Sequence, residues 1–384
     1  KEQAAIERVF APKVHGALAL EEALGAEPLD FTVLFSSTSA TLGPPGQVDY
    51  TAANAFLDAM ARRRSADGKP TVALQWGAWN RVGMTAAMDA GHAADAARPE
   101  AIALPLLHER ARLGADEWQL SGRLAPHTHW LLDEHRTAQG HAVVPGTGYL
   151  ELAGQALAAI DEHGPFAIQD LYFFRPFHVP DQRQGDFRVR LRRSVEGYEF
   201  VVESAVVRDD RQGGGRPVWV LHAQARLVLG HVDGSAVLEA AAIEARCTDL
   251  RRPTGGDWIP SPQEANLRLG PRWRVVRELR YGRGEAIARL ALADQFADDL
   301  QRWHLHPALL DLATGFAVEL IPGYDARYLW VPLSYRRFVV HGPLPQAIVA
   351  WAKSCRAIGG GGDLCAVDLL LADPSARVLV EVEG

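Results

Sequence analysis

The chain has 384 residues, which at about 150 residues per domain suggests two or three domains. Forty Lys+Arg against 47 Asp+Glu give a net charge of −7, without the basic excess of a dedicated nucleic-acid binder, and no apolar run is long enough to cross a membrane. Three cysteines (Cys247, Cys355, Cys365) are too few and too scattered for a disulfide framework or a zinc site, so a reducing, cytoplasmic setting is expected. The sequence opens on Lys1 with neither Met nor signal peptide and reads as a piece of something longer.

Residues 1–83 have α/β grammar. Helical spacing over 1–22 leads to a strand at 31–36 (FTVLFS), a helix at 48–63 and a strand at 71–76 (TVALQW). This is a partial Rossmann-like segment, because two strands do not make a doubly wound sheet. Residues 84–102, rich in Ala and polar residues, read as a linker. A β-rich region fills 103–384. Residues 186–207 form a hairpin around Glu196-Gly197, and further strands are expected in 216–229, 273–292, 329–340, 346–357 and 364–382. Apolar helices at 147–160 and 307–320 interrupt it. An apolar helix wrapped by an antiparallel sheet, occurring twice, predicts an α+β fold with an internal duplication, the halves about 103–250 and 251–384. Gly359–Gly362 reads as a flexible loop.

The first chemical constellation is Lys13, Ser37, Tyr50 and Asn54. A phenol with an ordinary pKa near 10 gives up a proton at neutral pH only beside a cation, and a Ser hydroxyl can hold the same carbonyl oxygen. Ser37 ends a strand, Tyr50 opens a helix thirteen residues later, and Asn54 lies one turn beyond. With LFSSTSATLGPPGQVDYTAANAFLDA, residues 1–83 resemble the C-terminal half of the ketoreductase domain of modular polyketide synthases, a short-chain dehydrogenase relative. The resemblance implies Tyr50 as proton donor, Ser37 as carbonyl holder, and Lys13 and Asn54 as supports. No glycine-rich pyrophosphate turn precedes this segment, so NADPH is expected only if the domain is completed elsewhere.

The second constellation suits elimination of water from a β-hydroxyacyl thioester. That reaction needs a base for the α-proton, an acid for the departing hydroxyl, and a backbone N–H or helix N-terminus at the thioester oxygen. A neutral His is the natural base, and His135 is the candidate. Asp311 lies in an apolar helix among Leu309, Leu310 and Leu312, where burial favours the protonated, acid-competent form. Pro145 stands just before the first apolar helix, and His127 and His129 lack a Cys or carboxylate at ligand spacing, so no metal is expected.

Through WLLDEHRTAQGHAVVPGTGYLELA (130–153), GPRW (270–273), LHPALLDLATG (305–315) and VPLSYRRFVVHGPLP (331–345), in that order, residues from about Leu104 onward resemble the dehydratase domain of type I polyketide and fatty acid synthases, a double hot-dog fold. The resemblance implies His135 as base, Asp311 as acid, the Gly140 amide at the thioester carbonyl, and Pro145, Tyr149, Gly270, Pro271 and His306 around the substrate. It implies no cofactor for dehydration beyond the phosphopantetheine of an acyl carrier protein, whose phosphate Arg268, Arg272 and Arg274 could attract. Other synthase domains and a homodimer are the further partners implied. Three features depart from the family pattern. Four residues instead of three separate His135 from Gly140. Leu267 and Leu269 replace two tyrosines. Gly315 replaces the Gln or His that partners the acid, a vacancy that His306 or Tyr335 could fill. A docking module without turnover, double-bond migration and oxa-ring closure therefore remain open beside dehydration. A ketoreductase-like segment ahead of a dehydratase also resembles the order in iterative enediyne-type synthases and some divergent modules.

Overall fold

The computed structural model describes residues 3–25, 27–43, 47–76, 98–206, 218–230, 236–358 and 364–384, which divide into units 1–89 and 90–384. Of the expected linker at 84–102, residues 84–97 lie outside the described residues, as does the loop at 359–362, and Glu100–Ala101 form a short strand where none was expected.

In the first unit, helices α1 (Gln3–Phe10) and α2 (Gly16–Leu24) are joined by one π turn, Ala11–His15, which carries Lys13. Strands β1 (Thr32–Ser37) and β2 (Thr71–Trp76) pair in parallel, from Thr32 with Thr71 to Ser37 with Trp76. Helix α3 (Val48–Ala66) crosses between them and buries Ala53, Leu57 and Ala61. A parallel pair needs such a crossover, because a tight turn can only reverse the chain.

In the second unit, one fourteen-stranded sheet runs through both halves of the duplicated fold. In the first half, β3 (Glu100–Ala101), β4 (Glu109–Arg112) and β5 (Glu117–Leu124) lead to the short strands β6 (His135–Thr137) and β7 (Ala142–Val143) and to helix α4 (Gly146–Ala158). There follow β8 (Phe166–Phe173), β9 (His178–Val179), β10 (Gly185–Arg193), β11 (Gly197–Val206) and β12 (Val218–Leu229). Strand β10 shows why the sheet forms here: Phe187, Val189 and Leu191 are buried, while the arginines between them face outward. Helix α4 buries Leu150, Leu152, Ala153, Ala156 and Leu157 against this half. At about 1.5–3 kcal/mol for each large aliphatic side chain, that burial, not helix propensity, holds it in place.

The second half contains helix α5 (Ala240–Arg246), β13 (Asp249–Arg251), β14 (Leu267–Leu269), β15 (Val276–Tyr281), β16 (Ala286–Ala291) and helix α6 (Pro307–Gly315). Strands β17 (Ser334–Val340), β18 (Ala347–Ala357), β19 (Cys365–Ala372) and β20 (Val378–Glu383) complete it. The sheet order is β3-β4-β5-β10-β11-β12-β8 and then the reverse-built β17-β20-β19-β18-β16-β15-β13. Antiparallel pairing of β8 with β17, Ile168 opposite Phe338, is the seam. This is the α+β double hot-dog: two antiparallel half-sheets, each with its own apolar helix.

The structure corrects three expectations. The second half begins before residue 251: Leu238, Ile243 and Cys247 already pack against Ile287, Val349 and Val378, and β13 pairs with β15. The second apolar helix ends at Gly315 rather than 320, followed by a separate turn at Val318–Leu320. Cys355 and Cys365 are not scattered, since their sulfurs meet across β18 and β19, 2.6 Å apart.

Candidate active site

His135 opens β6 directly after one helical turn, Trp130–Asp133. It is 7% exposed, and its Nδ1 lies 2.8 Å from the carbonyl oxygen of Val143. A carbonyl only accepts, so Nδ1 carries a hydrogen, and in the neutral ring the lone pair is then on Nε2. Strand β6 belongs to a small sheet ordered β14-β6-β7-β9, in which Leu269 of the second half pairs with His135 of the first.

Asp311 sits in the middle of α6. Pro307 occupies the first turn of this helix, and the His306 imidazole caps it by accepting from the Leu309 N–H at 3.4 Å. Burial raises the Asp311 carboxyl above the ordinary carboxylate range, while nearby His135 and a hydrogen bond from Trp273 pull it back. That bond runs from the Trp273 indole Nε1–H to Asp311 Oδ2, 2.8 Å. The same indole stacks on His135 with ring centroids 5.6 Å apart. One buried ring therefore touches both the imidazole and the carboxyl, which come from different halves of the fold.

The chain holds that ring by a brace. Gly270 donates its N–H to Glu134 O at 2.8 Å, and a Cβ at Gly270 would lie 2.3 Å from Glu134 Cγ, so only glycine allows this approach. Pro271–Trp273 then form a tight turn. The Arg272 guanidinium binds Glu134, the residue before His135, and Asp299 at 2.7 Å. Asp299 reaches His306 Nε2 at 3.5 Å, and Trp130 stacks on the His306 ring at 5.1 Å. The path from Glu134 through Arg272 and Asp299 to His306 ties the lead-in to His135 to the cap of the Asp311 helix. A second tie is Thr147 of α4, whose hydroxyl donates to Pro307 O at 3.0 Å.

Several expected roles change. Gly140, at φ +89°, donates its own N–H to Thr137 O at 2.8 Å, so that amide is engaged within its turn and not free for a thioester. His306 is 0% exposed with both ring nitrogens engaged, so it caps a helix and does not line a substrate path. Nor does His306 or Tyr335 replace the missing partner of Asp311. The Tyr335 phenol bonds Thr314 and is pushed up to about 12 by burial. Gly270 and Pro271 shape the turn that carries Trp273. Arg272 is spent on the brace, and Arg274, exposed like Arg268, lies over the Trp258 ring at 4.6 Å. Pro145 is buried at the start of α4, which has no side-chain cap there. Tyr149, in the first turns of α4, has a buried hydroxyl with no hydrogen-bond partner among the described residues. A cavity of about 470 Å³ is lined by Leu104, His129, Trp130, Asp299 and Trp303 among others, but by neither His135 nor Asp311.

Sequence reasoning missed Trp273. The available signal was chemical: GPRW ends in an indole, whose N–H is a donor that needs a partner when buried.

In the first unit, Lys13 Nζ donates to Phe35 O at 2.9 Å and lies 5.6 Å from the centre of the Tyr50 ring. Asn54 donates to Tyr50 O at 2.7 Å, and Ser37 Oγ accepts from the Ser39 N–H at 3.2 Å. Burial lowers the Lys13 amine, against the opposing pull of Asp58.

Two hot dogs in one chain, each sheet wrapping an apolar helix, are the fold this chain shares with solved dehydratase domains of polyketide synthases. The chain itself is a ketoreductase-type segment followed by a polyketide synthase dehydratase domain: family models match residues 1–81 (KR domain), 105–205 (polyketide synthase dehydratase domain) and 238–384 (polyketide synthase dehydratase N-terminal domain). Among solved structures, the dehydratase domain from the CurF module of the curacin polyketide synthase superposes with a TM-score of 0.62 at 22% identity, covering 74% of this chain and 98% of that one. The dehydratase domain from the terminal module of the rifamycin polyketide synthase gives 0.57 at 23%, covering 73% and 94%. The phthioceranic/hydroxyphthioceranic acid synthase of Mycobacterium tuberculosis (strain ATCC 25618 / H37Rv) is 54% identical over 76 residues, 20% of this chain and 4% of that protein. A mycocerosic acid synthase-like polyketide synthase of the same strain is 35% identical over 162 residues, 42% of this chain and 6% of its own length. The chain thus spans a small fraction of the curated synthases it matches.

Proposed function

We propose that residues from about 103 to 384 remove water from a β-hydroxyacyl thioester carried on the phosphopantetheine of an acyl carrier protein, giving an α,β-enoyl thioester. The observation that carries this reading is the Trp273 indole, with His135 stacked on its face and Asp311 bound to its N–H. His135 Nε2 takes the α-proton. The electron pair left behind forms the new C=C bond as the C–O bond to the β-hydroxyl breaks. Asp311, whose protonated form burial favours, gives its proton to the departing oxygen, which leaves as water. Charge that builds on the thioester oxygen meets the uncapped N-terminus of α4, which begins three residues beyond the Val143 whose carbonyl orients His135. Tyr149 offers its free buried hydroxyl to the same substrate. No cofactor takes part in this step.

The test supplies the 384-residue chain with a 3-hydroxyacyl pantetheine or carrier-bound thioester and follows loss of water by mass. Wild type forms the enoyl product, and His135→Ala lowers the rate by about 10²–10⁴-fold. Equal conversion by both removes His135 as the base. A carrier-docking module without turnover is the second reading, favoured by Leu267, Leu269 and Gly315 in place of the family's polar residues. It predicts carrier binding with no product. Either way the carrier is the partner, with neighbouring synthase domains, a homodimer and a cytoplasmic site of action part of the same proposal.

For residues 1–83 the proposal is narrower. Tyr50, Ser37, Lys13 and Asn54 are a set able to face a carbonyl. Among the described residues of this unit, no glycine-rich turn follows a strand to hold the pyrophosphate of NADPH, and no hydride step is assigned to them.

A further inference from the structure

We propose that Trp273 is the positioning residue of the acid, an indole N–H that does from the neighbouring turn what a polar side chain four residues along the helix would otherwise do. The proposal rests on the dehydratase reading for its catalytic meaning and on geometry for its substance. Asp311 and Gly315 are one turn apart on α6, so a side chain at 315 would project on the same face as the carboxyl. Gly315 has no side chain, and a Cβ there would meet nothing within 4 Å. The helix leaves that place open. The hydrogen bond to Asp311 Oδ2 comes instead from Trp273 at 2.8 Å, on a ring that is 2% exposed.

Three features keep the donor aimed. The Gly270–Glu134 approach and the Arg272 ion pairs fix the turn. Trp130 packs against the Trp273 ring from another side, with centroids 5.9 Å apart. The indole N–H is donor only, so it selects one orientation of the carboxyl and leaves the other oxygen to carry the acidic proton. Because the ring also lies on His135, a single side chain sets the spacing of base and acid.

The test compares wild type, Trp273→Phe, and Trp273→Phe combined with Gly315→Gln. Phenylalanine keeps an aromatic ring beside His135 and removes the donor. Loss of a hydrogen bond to an ionisable group lowers kcat by roughly 10- to 100-fold, with KM little changed. Loss of a donor that favours the carboxylate moves the alkaline limb of the pH profile upward. The glutamine amide introduced by Gly315→Gln, on the open face of the helix, restores the donor and recovers at least about tenfold of kcat. A Trp273→Phe enzyme with wild-type kcat and pH profile overturns the proposal, and so does a double variant no faster than the single one. Thermal melts of all three chains separate misfolding from lost chemistry. If wild type turns over no hydroxyacyl thioester, the dehydratase reading fails by itself. The positioning claim is then read from carboxyl NMR titration of Asp311, whose midpoint rises in Trp273→Phe and falls back in the double variant, and an unmoved midpoint overturns it.

Discussion

A carbonyl oxygen can only accept, and that constraint at Val143 decides which nitrogen of His135 is free to act. At Asp311 the constraint is a balance. Burial pushes the carboxyl up, and the Trp273 donor with His135 nearby pulls it down, leaving it above its ordinary range. In the proposed dehydration the acid must hold its proton, so kcat/KM is expected to fall as pH rises through the raised Asp311 value, and the working range to extend further toward neutral pH than an exposed carboxyl would permit. Asp311→Asn keeps an acceptor for the indole N–H but has no proton to give. It lowers kcat by about 10²–10⁴-fold while the urea midpoint stays level or rises, because a buried ionisable group is gone. Turnover by defined thioesters and equilibrium unfolding, measured on the same preparation, check both halves of that statement. At this scale His135 and Asp311 were legible through the motifs around them. The indole bond was not, because Trp273 and Asp311 lie 38 residues apart and meet only through the turn at Gly270.

Helix α4 was legible because nearly every face of it is apolar, and a helix hydrophobic all round has to be enclosed. Among its polar exceptions is Glu151, 1% exposed, which accepts from Leu305 N–H at 2.7 Å and from Gln155 at 2.8 Å and so fastens α4 to the segment before α6. Burial outweighs those donors and pushes the carboxyl up to about 7. A native pKa above the unfolded one means that the folded state binds more protons across the interval between them. This contribution is full below about pH 4.5, drains away as pH rises, and is gone above about 7. From the shift it amounts to about 3 kcal/mol. Glu151→Gln keeps an acceptor for Leu305 and abolishes this part of the slope. Urea unfolding at pH 5 and pH 7.5 should show a smaller difference in the variant than in wild type. Strands β10 and β11 were legible from alternation, whereas β5 and β8 were not. Inward-facing Gly122 interrupts the pattern of β5, where Phe187 and the Leu106 carbonyl leave no room for a side chain. In β8 the register against β12 shifts, and Asp170 takes φ +52°. A bulge destroys the period of two on which a strand is recognised.

Across the whole second unit, the seam between β8 and β17 keeps the two halves in register. Phe338 on β17 is fully buried, sits opposite Ile168 and meets Tyr335 edge-on at 5.7 Å. Phe338→Ala is expected to cost about 3–5 kcal/mol, read as a lower urea midpoint. Because His135 and Asp311 come from opposite sides of the seam, the variant should lose activity in step with its folded fraction. The amino-acid sequence by itself carried the duplicated helix-in-sheet plan and the family motifs that single out His135 and Asp311 as candidates, because periodicity and residue chemistry are local properties. Only the tertiary structure decided which group holds the acid, that Gly140 and His306 are engaged elsewhere, and where one half ends and the next begins. Those depend on which surfaces close over one another, and a buried indole, an ion-pair brace and a shared sheet edge exist only once segments far apart in the chain have been brought into contact.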